Sequence, residues 1–537
     1  MKAMKLFGTR RCSSEQPNDI PHSCPQVTRV LLAAATALVT SCATVDPQPY
    51  WIAKNEDQAS CLATEIEEGC GTKTPELWRL RIGDGFKLHF VEFDDQGWLY
   101  EKAQDEKAQS QIDWIIEDLT KSATVAGKQL RLVIYVHGWK HNAEPRDPDV
   151  RKFRHMLAQL RGVDVASGLA QKRELVGIYV GWRGKSWEKS TALHRFLLNT
   201  TFWTRKSAAI RVAQGQPREL FARLRAFQAD ANSQEKGGCP RDGSGRLVCK
   251  VRTAIIGHSF GGWIVQAAMS ESMIDLLSEE RDTKLQAPQR AIDASDKDKL
   301  KSERWARLAD TILLINPAYE ASRYEAVHRA ARALAPESYH PPLLVSITSD
   351  KDVATGKAFP AGRALNGLFE KKTSDEQALA IRNTPGHLSR YHTHELSYSP
   401  ADGPSCDGWR ELYVFEEARP KDNELQLRLK DEYANDASLL ETQIRANLAA
   451  EGKLQQTFFN EHGGLSRPSF KEGWVRPFCG GMRLRQLNEK ENENKHPNTP
   501  VWNIRTSAPI ILNHNDFMTP LFIDFIRQLY RDGELLQ

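Results

Sequence analysis

A serine stands between two glycines at Gly257-His258-Ser259-Phe260-Gly261, directly after the β-forming run at 251–256. No other feature constrains the fold of this chain so tightly. An ordinary buried strand does not need such a sequence. A chain that turns sharply from strand to helix and presents one hydroxyl does. A side chain at either glycine would strike the adjoining strand or helix, and the serine between them takes a strained conformation with its Oγ exposed. Small residues and a helical pattern follow from Gly261.

Around this turn, strand and helix patterns alternate. LRLVIYVHG (130–138), LVGIYVGW (175–182), TILLINP (311–317), LLVSITS (343–349) and VWNIRTS (501–507) are nearly continuous apolar runs. Strands covered by helices on both faces read this way. A helical stripe of Ile112, Ile115, Ile116 and Leu119 precedes the first run. A second stripe, Val150, Phe153, Leu157 and Leu160, follows the cap and first-turn proline at Asp147-Pro148. FKLHFVEF (86–93), the turn at 94–97 and a resuming Trp98-Leu99-Tyr100 predict a leading antiparallel hairpin. The expected fold is therefore α/β, with a mainly parallel central sheet. Two stretches break the alternation, at 183–250 and 356–500. They read as excursions from one core, the second charged and irregular in many parts.

The net charge of +4 is small for 537 residues, and neither half carries a long basic block, so nucleic acid is not the expected partner. The N-terminus is the unusual part. Basic residues at Lys2, Lys5, Arg10, Arg11 and Arg29 precede an apolar stretch at 30–39, which is too short to span a bilayer and has the length of a signal-peptide core. Val39-Thr40-Ser41-Cys42 follows it and resembles the lipobox of bacterial lipoproteins. The resemblance implies cleavage before Cys42 and diacylation of its thiol. Ala43 follows the cysteine in place of aspartate, which implies an outer-membrane address in the cell envelope. The expected division is a signal at 1–41, a tether and cap at 42–75, and one large domain at 76–537 carrying both insertions. Six cysteines remain after this processing: Cys61, Cys70, Cys239, Cys249, Cys406 and Cys479. An even number suits an oxidising compartment. The pairs near in sequence are Cys61 with Cys70 and Cys239 with Cys249, leaving Cys406 with Cys479.

The serine turn and the strand–helix alternation together resemble the α/β-hydrolase superfamily, and within it the serine esterases and lipases. The resemblance covers about 84–355 and resumes from about 499. It implies that Ser259 is the nucleophile. It further implies that backbone N–H groups of Phe260 and Trp139 form the oxyanion hole, with His137 in a structural role. Two amides aimed at one point stabilise the charge that develops on a carbonyl oxygen. A serine hydroxyl needs a base, and the family's order is serine, acid, histidine. The acid is expected after LLVSITS, where the G-x-x-D-x-V pattern falls on Asp352 with Ser349 replacing its glycine. Asp350 is the alternative. The base is expected at His514, before the last helix. Its rivals are His387, His392 and His394, which otherwise read as surface loop residues or, through the H-x-H spacing, as part of a metal site without an evident third ligand.

What this implies is acyl transfer through an acyl-enzyme with no metal or organic cofactor. The substrate is a small-molecule or lipid ester, reached from a membrane surface through the lipidated Cys42. Trp182 and Arg183 follow a strand end on the active-site side of the sheet. Arg183 suits a substrate carboxylate or phosphate, or a salt bridge within the fold. Leu193, Phe196, Leu197, Phe202 and Trp203 form a prospective lid or acyl-binding wall. The same triad geometry also serves peptidases and thioesterases, and the same fold serves non-catalytic binding lipoproteins.

Overall fold

The computed structural model describes Pro49 and residues 85–536, apart from 101–109, 125, 145–146, 186–201, 242–247, 287–308, 335–340, 367–369, 400–412, 420–423, 465–468 and 489–496. The signal, Cys42, the tether, Cys61, Cys70, Cys406, Leu193, Phe196 and Leu197 lie outside the described residues. Among the described residues, no helix is long and apolar enough to cross a membrane.

In chain order the first half comprises β1 (Lys87–Phe93), α1 (Gln111–Thr124), β2 (Gln129–Val136), α2 (Pro148–Ala166), β3 (Arg173–Trp182), α3 (Phe202–Gln214), α4 (Pro217–Ala231), β4 (Val251–His258) and α5 (Phe260–Gln286). The second half comprises β5 (Thr311–Ile315), α6 (Ala321–Arg332), β6 (Leu344–Ser349), α7 (Phe359–Asn366), α8 (Asp375–Arg382), β7 (His394–Tyr398), β8 (Tyr413–Arg419), β9 (Glu424–Leu429), α9 (Ala437–Glu461), β10 (Val475–Phe478), β11 (Met482–Gln486), β12 (Val501–Thr506) and α10 (Pro520–Leu536).

Ten strands form one sheet in the order β1-β3-β2-β4-β5-β6-β12-β7-β11-β10. Pairing is parallel from β1 through β7 and antiparallel across β7, β11 and β10. This is an α/β-hydrolase-like topology. The leading hairpin is a single antiparallel bridge between Phe93 and Leu99, closed by Asp94 N–H donating to Trp98 O at 2.8 Å. β1 itself joins the sheet parallel to β3.

The apolar runs become strands because both faces of the sheet are covered. Leu130, Leu132, Ile134 and Val136 of β2 enter one core with α1 and α5, while Val133 and Tyr135 enter a second with α2 and α10. Ile112, Ile115 and Leu119 make the buried stripe of α1. Each such aliphatic side chain contributes roughly 1.5–3 kcal/mol when removed from water. Asp147 caps α2 by accepting from Asp149 N–H at 2.8 Å.

The insertion at 356–500 departs from the expected irregular excursion. It supplies β7, β10 and β11, which extend the central sheet, and α9, which packs on α2. Cys239 and Cys249 form a disulfide just before β4, and Cys479 is also disulfide-bonded.

Candidate active site

Ser259 follows the last residue of β4 and precedes the first residue of α5. Its φ is +55°, in the left-handed region that a non-glycine residue adopts only when the surroundings hold it there. The flanking glycines are required by contact. A Cβ on Gly257 would lie 2.7 Å from Gly261 O, and one on Gly261 would lie 2.1 Å from Val136 O. Backbone bonds close the turn: Ser259 N–H donates to Ile315 O at 3.0 Å, and Ala318 N–H donates to Ser259 O at 3.1 Å.

His514 comes from a loop between β12 and α10, and Asp352 from the turn after β6. His514 Nε2 lies 2.9 Å from Ser259 Oγ, and its Nδ1 lies 2.9 Å from Asp352 Oδ2. The three residues are separated by as many as 255 positions and form one hydrogen-bonded row. The row fixes the imidazole tautomer: Nδ1–H donates to the carboxylate and Nε2 accepts from the hydroxyl. Asp352 is 1% exposed. Burial alone pushes its carboxyl up. The charge of His514 and hydrogen bonds from His514 and Thr355 outweigh burial and hold it below the ordinary carboxylate range. Asp350 is exposed in the same turn, and its backbone N–H donates to Thr506 O at 2.9 Å.

The rival histidines are not surface residues. His387 and His392 are half-buried and His394 is buried. His392 Nε2 lies 2.9 Å from Gly386 O, and His394 Nδ1 lies 2.7 Å from Thr393 Oγ1. Among the described residues, no group of three or more His, Cys, Asp or Glu is arranged to hold a metal ion. His387 stands behind the row. Thr355 Oγ1 donates to Asp352 Oδ2 and lies 2.9 Å from His387 Nε2. A hydroxyl has one proton, so a Thr355 that donates to Asp352 accepts from His387, whose Nε2 therefore carries hydrogen. Burial lowers the His387 pKa against the pull of Asp352.

Three supports of the His514 loop were not legible as such in the sequence. His258, inside the serine motif, has its Nε2 2.8 Å from His514 O. Burial, then the charge of His514, lowers its pKa to about 3, so the ring is neutral and Nε2–H donates. Asn316 Nδ2 donates to Asn513 O and His514 O, both at 3.1 Å, while its Oδ1 accepts from Ser349 N–H at 3.0 Å. Ser349, standing where the family pattern has glycine, donates its hydroxyl to Ile511 O at 3.0 Å. The one available signal was a polar residue closing each apolar strand.

Phe260 N–H is the first in α5 and has no acceptor within the helix. Gly138 abuts the serine closely enough that a Cβ there would lie 2.9 Å from Ser259 Cβ, which brings the peptide of Trp139 beside it. His137 is structural. Its Nδ1 lies 2.9 Å from Gly138 O and its Nε2 accepts from Trp182 N–H at 3.1 Å, while burial lowers its pKa to about 4.

Trp182 and Arg183 both have partners within the fold. Trp182 is fully buried, and its indole N–H donates to His137 O at 2.8 Å. Its ring stacks on that of His137, with centroids 5.6 Å apart. Arg183 pairs with Asp95, which Arg205 also holds at 2.8 Å. Burial pushes Asp95 up, and the two guanidiniums outweigh it and lower its pKa. Of the prospective wall, Phe202 reaches the site: its ring centroid lies 5.1 Å from that of Trp139 and 5.0 Å from that of Phe260. Trp203 lies behind it, 6.4 Å from Phe359 of α7.

No family model and no curated protein matches the chain. Among solved structures, phospholipase PlaB from Legionella pneumophila in complex with thio-NAD matches at a TM-score of 0.21 and 14% identity, over 51% of this chain and 47% of that one. This is a weak structural resemblance to a phospholipase, spanning about half of each chain.

Proposed function

We propose that the protein is a serine hydrolase that transfers the acyl group of a carboxylic ester to water. The observation that carries the proposal is the pair of 2.9 Å contacts that join Ser259 Oγ, His514 and Asp352. His514 Nε2 takes the serine proton as Oγ bonds to the ester carbonyl carbon. The carbonyl π pair moves to oxygen, where the N–H groups of Phe260 and Trp139 receive the charge. Asp352 keeps Nδ1–H in place and supports the imidazolium. The tetrahedral adduct collapses by breaking the bond to the leaving oxygen, which takes the proton from His514. Water repeats the sequence: it loses a proton to His514, attacks the acyl-enzyme and releases the acid and the serine.

The Phe202 ring against both oxyanion residues supports a bulky apolar acyl group. The lipobox-like Cys42, outside the described residues, supports anchoring to the outer membrane of a bacterial envelope, with 76–537 as one hydrolase unit. Reaction with a fluorophosphonate tests the chemistry: the mass increment is expected on the peptide containing Ser259, and an active protein labelled elsewhere refutes the mechanism. Intact mass of the protein from its native host tests the anchor: the expected mature chain begins at a lipid-modified Cys42, and an unlipidated chain beginning near Met1 refutes it.

A further inference from the structure

The row of Ser259, His514 and Asp352 continues on the far side of the carboxylate. Thr355 follows Asp352 in the helical turn at 354–358. Its backbone N–H donates to Asp352 Oδ1 at 3.0 Å. Its hydroxyl donates to Oδ2, the oxygen that His514 Nδ1 also reaches at 2.9 Å. His387 Nε2 lies 2.9 Å from that hydroxyl oxygen. His387 belongs to a separate short helical segment, Pro385–His387.

The central sheet holds this segment in place. Asn503 of β12 donates from Nδ2 to Pro385 O at 2.9 Å. A Cβ on Gly386 would lie 2.0 Å from Thr348 Oγ1 of β6. The turn after Asp352 leaves room for the ring from the other side. A Cβ on Gly356 would lie 2.9 Å from His387 Cε1 and 3.2 Å from each ring nitrogen. Neither Gly356 nor Gly386 adopts a left-handed φ, so both serve close approach and not backbone freedom. The imidazole is thus set against the turn that carries Asp352 by contacts on two sides.

We propose that His387 is a positioning residue for Asp352, acting through the Thr355 hydroxyl. That hydroxyl has one proton and two neighbours able to accept it, Asp352 Oδ2 and an unprotonated His387 Nε2. With hydrogen on Nε2 the ring donates, and the threonine proton is left for the carboxylate. Oδ2 then receives two donors at once. They favour its charged form and keep it aimed at Nδ1 while His514 Nε2 takes the serine proton. Without His387 the hydroxyl is free to rotate away. Three side chains separate His387 from Ser259 along the row, so its loss acts on turnover and not on substrate affinity. The inference rests on the hydrolase reading of Ser259, His514 and Asp352.

Turnover of p-nitrophenyl butyrate by the full chain at about pH 8, where an ordinary histidine is neutral, tests the proposal. The rate of fluorophosphonate labelling of Ser259 is measured beside it. His387→Leu removes the donor and is expected to lower kcat and the labelling rate about three- to tenfold, with KM within about twofold. His387→Gln keeps a donor of similar reach and is expected to recover most of that loss. Thr355→Val is expected to lower kcat about tenfold or more. Adding His387→Leu to it is expected to lower kcat no further, because the route to Asp352 is already cut. If His387→Leu does not fold, His387→Ala enters the same cycle. Wild-type kcat in His387→Leu overturns the proposal. So do losses that multiply in the double variant, or a glutamine variant no faster than the leucine one. A wild-type Ser259 inert to fluorophosphonate refutes the hydrolase reading instead. A Ser259 that labels equally fast in wild type and His387→Leu refutes only the role of His387.

Discussion

The serine turn and the histidine loop meet at one hydrogen bond, yet they are held by opposite means. Ser259 sits between a strand and a helix, its backbone bonded on both sides and its conformation enforced by glycines that nothing larger can replace. His514 belongs to no helix or strand. Its loop is hung from side chains at or just past the ends of β4, β5 and β6: His258, Asn316 and Ser349. Ser259 is thus positioned by local geometry, and His514 by polar atoms distant in sequence. The first device fails by collision and the second by loss of a donor.

Gly261→Val is the harshest test of this contrast. Its Cβ would meet Val136 O at 2.1 Å, and main chain cannot retreat cheaply. Loss of soluble folded protein is expected. A folded variant with a normal melting temperature would mean that contact does not enforce the turn.

The row itself comes next. Ser259→Ala and His514→Ala are each expected to lower ester turnover at least about 10³-fold, and Asp352→Asn about 10³- to 10⁴-fold. Melting temperatures should change little. Full activity in His514→Ala would reassign the base.

Asn316→Ala probes the suspended side. It removes a donor to two loop carbonyls and the acceptor for Ser349 N–H. Roughly 10- to 100-fold lower turnover is expected, with a stability loss of about 1–3 kcal/mol in urea unfolding. Equal turnover in variant and wild type would show that the loop positions itself.

His258 adds a pH dependence. Its folded pKa of about 3 lies below the unfolded value of about 6.5, so the neutral ring stabilises fully above about 6.5 and that contribution is lost as pH falls toward 3. His258→Gln is expected to flatten part of the acid slope of the unfolding midpoint. An unchanged slope would place the titration on other buried histidines. The smallest effect is expected from Asp350→Asn: turnover within about twofold, because an exposed side chain outside the row has little to lose.

The sequence was legible where structure is local. Buried parallel strands write themselves as apolar runs, and Gly257 and Gly261 announced the turn because only glycine fits there. The residue order of the family that the sequence resembles pointed to Asp352 and His514, and the structure brings both together with Ser259. The edge strands were not, though a period of two is present in β11: Met482, Leu484 and Gln486 are buried, while Arg483 and Arg485 are not. Five residues with two arginines, inside a charged insertion, do not read as sheet until their neighbours are known. Asn316 and Ser349 were hidden for a related reason, since the carbonyls they hold lie 197 and 162 residues away. Trp182 and Arg183 stand at a strand end, and their partners His137 and Asp95 lie 45 and 88 residues away in sequence.

β12 lies between β6 and β7, so the antiparallel edge of β7, β11 and β10 joins the parallel sheet only through a strand that begins at Val501. On a chain made from its N-terminus, both neighbours are synthesised before the strand that unites them. Until then β6 and β7 each present an open edge, the arrangement most exposed to pairing with another molecule. The fold is therefore sealed late, and a nascent chain halted before residue 501 would be a candidate for chaperone capture rather than a smaller stable fold.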